Sequence, residues 1–173
     1  MYDKKKEVFL KRLFLIFILP IVLFAKMGYI NVAGGVFDIS GNKHQTKELS
    51  LEYQIATSWG WLHPIFGVLQ TFKGATYLSC GLALNVQMKR FLLIPSISAG
   101  YYHQGSGKDL GCPLEFRSTL MVGFQTKNQI RIGLQIAHMS NAHLGNKNPG
   151  EESLDLVISI PLKSLSLSKR ICQ

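Results

Sequence analysis

A chain of 173 residues is long enough for one domain, and 47% of its residues are hydrophobic while 17% are charged. Its 19 Lys+Arg against 10 Asp+Glu leave a formal charge of +9, a balance that suits anionic lipid or a phosphorylated glycolipid. Nucleic acid is set aside because no compact basic helix, zinc-ligand pattern or aromatic RNA-binding motif is present. The three scattered cysteines, Cys80, Cys112 and Cys172, supply neither a metal spacing nor a disulfide framework.

The N-terminus carries Lys4, Lys5, Lys6, Lys11 and Arg12 ahead of an apolar run from Leu13 to Ala25, broken only by Pro20. A basic segment followed by a short apolar one describes a secretory signal. The run is shorter than the ~20 residues a spanning helix needs, which favours cleavage over an inner-membrane anchor. Residues 1–28 are therefore expected to be a signal peptide, with Ala25 or Gly28 before the cut, and 29–173 a single β-domain ending in a short basic tail.

Beyond the signal, strand-like segments recur between turn residues. Val32 to Ile39 is the first, closed by the turn-forming SGNKHQ. Glu48 to Ser58 alternates Leu49, Leu51, Tyr53 and Ile55 against Ser50, Glu52 and Gln54. His63 to Phe72 follows, then Ala75 to Val86, with Leu78, Cys80, Leu82 and Leu84 opposite Ser79, Gly81, Ala83 and Asn85. Phe91 to His103 carries Ser96, Ser98 and Gly100 on its small face. QGSGKDLGC reads as a loop. Leu114 to Thr126 sets Phe116, Leu120, Val122 and Phe124 against Glu115, Arg117, Thr119 and Gln125.

The last two segments, within Gln129 to Leu162, form one hairpin. Even positions Ile132, Leu134, Ile136, His138 and Ser140 share a face, as do Glu152, Leu154, Leu156, Ile158 and Ile160 past the loop. Folding the hairpin with His138 opposite Glu152 matches Ile136 to Leu154, Leu134 to Leu156 and Ile132 to Ile158. One register thus joins every apolar pair. It also gathers His138, Ser140 and Glu152 at the open end of an apolar face. An acid, an imidazole and a hydroxyl so placed are the parts of a nucleophilic triad. Taken singly, each of the three reads as solvated surface beside a loop; their shared face makes them a candidate site. Parity puts the adjacent Glu151 on the other face. His143 reads as a loop residue, and Asn148-Pro149-Gly150 as turn chemistry that places Glu152. Trp59, Trp61, Tyr101 and Tyr102 read as an interfacial aromatic belt.

About eight strands result, each near the ~9–11 residues that a tilted strand needs to cross a bilayer. A soluble barrel would show the same alternation with the faces reversed. The face opposite the apolar one is rich in Gly, Ser and Ala, and its charges are of both signs. Small residues suit a cramped lumen, and opposite charges pair inside it. The expected fold is therefore all-β, an eight-stranded antiparallel transmembrane β-barrel. Alternatives are a non-catalytic structural or adhesive barrel, and a soluble β-domain on an inner-membrane anchor.

The motif His138-Met139-Ser140-Asn141-Ala142-His143-Leu144, then Asn148-Pro149-Gly150-Glu151-Glu152, resembles the PagL family of lipid A deacylases. Leu110 to Ser118 (LGCPLEFRS) and Gly34-Gly35-Val36-Phe37-Asp38 are similar to further segments of that family. The resemblance implies an outer-membrane barrel whose Ser-His-Glu triad, Ser140, His138 and Glu152, lies on the lipid-facing surface. It implies Asn141 as the oxyanion or substrate-positioning residue, lipopolysaccharide (lipid A) as substrate, fatty-acyl ester hydrolysis as reaction, and no cofactor or metal. The final KSLSLSKRICQ departs from the pattern. It lacks the terminal aromatic common in outer-membrane barrels, and Leu165 and Leu167 switch parity relative to Leu162. With the N-terminus periplasmic, odd strands end outside, so the triad is expected at the outer leaflet.

Overall fold

The computed structural model describes residues 28–162 apart from 42, 58 and 59. The expected signal before residue 28, Trp59 and the basic tail lie outside the described residues. Among the described residues nine strands form: β1 (Tyr29–Phe37), β2 (Thr46–Gln54), β3 (Leu62–Thr71), β4 (Thr76–Leu84), β5 (Val86–Met88), β6 (Phe91–His103), β7 (Leu114–Gln125), β8 (Arg131–Ser140) and β9 (Glu151–Pro161). All pair antiparallel. β4 and β5 are parted only by Asn85, and both pair with β6, so they form one stave. β1 pairs with β9, which closes eight staves into a barrel. Closure leaves no open edge, the condition for strands to sit in hydrocarbon.

The faces divide as a membrane barrel requires. Leu134, Ile136 and Leu156 are 58%, 56% and 54% exposed on the outside. Glu48, Glu115, Arg117, Arg131 and Asp155 are buried inside. Three of these charges form one group: Arg117 Nη2 donates to Glu48 Oε1 (3.0 Å) and Asp155 Oδ2 (3.2 Å), whereas neither Glu115 oxygen has a hydrogen-bond partner among the described residues. Nearer the short turns, Arg131 donates to Gln54 Oε1 (3.2 Å) and Gln125 Oε1 (3.1 Å) and lies 3.6 Å over the Tyr29 ring. The buried apolar side chains form two clusters. One contains Ala33, Ile65, Leu92, Ile94, Met121 and Val157; the other contains Phe37, Leu69, Tyr77, Tyr102, Leu110 and Met139.

The strands differ from the sequence expectation mainly at their ends. The first begins at Tyr29, and the second runs from Thr46 to Gln54 because its register with β1 pairs Phe37 with Thr46 and Tyr29 with Gln54. Tyr102 is corrected as a belt residue. Adjacent strand residues point to opposite faces, so Tyr101 is 59% exposed while Tyr102 is buried, donating its hydroxyl to Lys108 O (2.8 Å). Trp61 is exposed as expected.

Candidate active site

The β8–β9 hairpin has the register that its alternation requires: His138 opposite Glu152, Ile136 opposite Leu154, Leu134 opposite Leu156 and Ile132 opposite Ile158. Every outward apolar side chain then meets another, so the packing that fixes the hairpin also fixes the polar pair at its end. His138 Nδ1 lies 3.2 Å from Glu152 Oε1, with both side chains about half exposed. The second carboxylate oxygen, Oε2, accepts a hydrogen bond from the Ser40 hydroxyl. The loop carrying Ser40 is tied down by the Ile39 peptide N–H, which donates to Glu152 O (2.8 Å). Sequence reading treated SGNKHQ as a turn and missed Ser40. The contact spans 112 positions and has no local signal.

Ser140 stands two residues beyond His138 on the same outward face, opposite Phe116 of β7. Strand rise separates the two Cα atoms by ~6.6–6.8 Å. Among the described residues no hydrogen bond joins its hydroxyl to His138; catalytic hydrogen bonds of this kind commonly tighten only when substrate is present. A second hydroxyl missed by sequence reading, Ser118, is the direct β7 partner of His138. Ser118, His138 and Glu152 line an open groove of about 600 Å³ whose apolar walls include Pro95, Leu120 and Ile136.

The connection between β8 and β9 holds the site from above. Asn141 is fully buried, and its Nδ2 donates to Leu110 O (2.7 Å) and Lys147 O (2.8 Å). Its peptide N–H donates to Asn148 Oδ1 (3.0 Å). Both amide hydrogens and the peptide hydrogen of Asn141 are thus engaged within the protein. Ala142 and His143 follow in the left-handed region, with φ of 51° and 63°. Leu144 N–H closes this turn on Asn141 O (3.0 Å). The His143 ring Nδ1 lies 3.4 Å from Asn148 Nδ2, its one side-chain hydrogen bond among the described residues, and it stays a loop residue. Across the loops, Lys147 Nζ donates to Asp109 Oδ2 (2.5 Å). That bond, with a smaller contribution from the Gly111 N–H, holds the Asp109 carboxyl below its ordinary range.

Glu151 is fully buried in the lumen, away from His138, as parity requires. It accepts from Ser153 Oγ (2.8 Å) and from the Asp38 N–H (3.4 Å). The two adjacent acids therefore occupy opposite sides of the barrel wall. Glu152 alone faces the imidazole. With a carboxylate at Nδ1, the free Nε2 of such an imidazole is the atom able to take a proton from a hydroxyl.

A family model described as "Lipid A 3-O-deacylase (PagL)" matches residues 36–161. Among solved structures, the crystal structure of the outer membrane enzyme PagL is similar at 23% identity and a TM-score of 0.59, covering 78% of this chain and 99% of that one. A de novo designed transmembrane β-barrel is similar at 10% identity and 0.56, covering 79% and 96%. Neisserial surface protein A is similar at 10% identity and 0.50, covering 78% and 95%. No curated protein matches the chain. The structural likenesses bear on the fold; the family match bears on the chemistry.

Proposed function

The chain belongs to the PagL family of lipid A 3-O-deacylases, outer-membrane β-barrel ester hydrolases, and from that premise we propose that Ser140, His138 and Glu152 carry the reaction at the outer leaflet. The observation that supports this most is the His138 Nδ1–Glu152 Oε1 contact on the lipid-facing wall, at the end of the hairpin where Ser140 shares the face. Ser140 Oγ attacks an acyl ester carbonyl of lipid A while His138 Nε2 takes its proton. His138 returns that proton to the sugar oxygen as the ester bond breaks, and Glu152 stabilises the imidazolium between the two transfers. Water then releases the fatty acid from Ser140 by the same proton path. Asn141, with both amide hydrogens and its peptide hydrogen engaged within the protein, supplies no donor to the oxyanion itself; its role is positional, its ties to Leu110 and Lys147 fixing the turn that follows Ser140.

The outward placement suits a substrate that is itself a membrane component. Lipid A diffuses laterally to the wall and needs no central pocket. The test is mass spectrometry of lipid A incubated with the purified protein. Ser140→Ala and His138→Ala are each expected to lower turnover more than a thousandfold, on the order seen for triads. Ser118→Ala is expected to retain turnover. Wild-type activity in Ser140→Ala, with loss in Ser118→Ala, would move the nucleophile to the neighbouring strand and end this reading.

A further inference from the structure

Glu152 has two carboxylate oxygens, and the triad accounts for one. Oε1 faces His138 Nδ1, while Oε2 accepts from Ser40 Oγ. A glutamate that is 43% exposed would otherwise sample several rotamers, most of them turned from the imidazole. A donor at the second oxygen restricts that choice. Ser40 is itself held to the hairpin: Ile39 N–H donates to Glu152 O (2.8 Å), and Asp38 N–H donates to Glu151 Oε2 (3.4 Å). Asp38 is pinned from a third loop by Lys108 Nζ at 2.6 Å. The Ser40 hydroxyl is thus delivered to the acid by backbone hydrogen bonds on both sides of the barrel wall.

We propose that Ser40 is a positioning residue of the reaction, its hydroxyl holding Glu152 in the rotamer that faces His138. The polar row at the site then runs Ser40–Glu152–His138, with the first member supplied by the β1–β2 connection. This inference rests on the triad reading above and adds a residue outside the family-like motif. The role is indirect: Ser40 acts through the acid, so its loss lowers the rate of the chemical steps and leaves lipid binding alone.

The test measures lipid A deacylation by the full-length protein in detergent, with folding checked by heat-modifiable gel migration. Ser40→Ala is expected to lower kcat about tenfold at unchanged KM, the scale of one hydrogen bond to a charged acceptor. Ser40→Thr, which keeps the hydroxyl, is expected to restore it. The same two changes are then made on a Glu152→Ala background. There Ser40→Ala is expected to cost nothing further, because groups acting through one another are not additive. A tenfold loss that persists without Glu152, or full kcat in Ser40→Ala beside a crippled Glu152→Ala, overturns the role of Ser40 and leaves the triad standing. Full activity in Glu152→Ala overturns both.

Discussion

At Gly150 two constraints meet. Its φ of 61° lies in the left-handed region, and a Cβ there would stand 3.1 Å from His138 Cε1. Only a glycine supplies that backbone without crowding the imidazole. Gly150→Ala is expected to lower deacylation at least tenfold by turning His138 from Glu152, an effect comparable to a small misplacement of a catalytic group. Barrel formation should persist, as judged by gel migration. Undiminished turnover would mean that the ring is not held from this side. The neighbouring acids offer a sharper comparison. Glu152→Gln is expected to cut activity severely, though less than loss of Ser140, because in the proposed triad the acid orients and stabilises without bonding to substrate. Glu151→Gln is expected to leave the chemistry nearly intact. A crippled Glu151→Gln beside a tolerant Glu152→Gln would shift the hairpin by one residue. The contact of His138 with Glu152 was legible in the sequence because period-2 alternation fixes side-chain faces and one register satisfies them all. Ser40 and Ser118 were not legible. Each reaches the site from a distant strand or loop, and no local pattern encodes such a neighbour.

The connection between β8 and β9 works as an element through Asn141. Two carbonyls from different loops, Leu110 O and Lys147 O, are satisfied by one amide group. Gly111 lets the loops meet, since its φ of 93° and its closeness to the Lys147 carbonyl leave no room for a Cβ. Asn141→Leu strands both carbonyls and is expected to destabilise the protein by roughly 1–3 kcal/mol for the buried groups left unpaired. The loss should appear as faster proteolysis of the 104–113 and 141–150 loops; unchanged proteolysis would show that water replaces the amide at no cost. The Asp109–Lys147 pair adds a tie with a defined pH window. The Asp109 carboxyl is held below its unfolded value, so the tie is present above that value, ~3.9, and is lost as pH falls through the lower folded one. Hydrogen exchange at the Gly111 N–H, which donates to Asp109 Oδ1 (2.9 Å), should stay slow through neutral and mildly acid pH. Strand identity and facing followed from alternation alone. Strand ends did not, because they are set by the partner: β2 stops at Gln54 where β1 begins at Tyr29. Tyr102 was misread because its aromatic character was weighed above its parity.

At the scale of the whole molecule, the barrel reverses the arrangement of a soluble protein, and two substitutions test the two sides. Leu134→Arg, on the lipid face, is expected to destabilise by ~2–4 kcal/mol if it reaches the bilayer midplane. The lumen responds differently. Arg117 sits between Glu48 and Asp155, each buried and each within 3.2 Å of its guanidinium. Removing the cation alone leaves two acids in a closed space, and breaking a buried ion pair in this way costs about 3–5 kcal/mol. Arg117→Met is therefore expected to lower the midpoint of urea unfolding in detergent or liposomes. The triple change Arg117→Met, Glu48→Gln, Asp155→Asn should recover most of the loss, because the two acids bonded to the guanidinium are then neutral as well. Deacylation by the refolded triple variant should stay near wild type. The proposed reacting groups stand on the outer wall, whereas Arg117, Glu48 and Asp155 are buried inside the barrel. A triple variant that folds normally yet loses turnover would mean that the lumen network sets the geometry of the outer wall, and that inside and outside of this barrel are not separable.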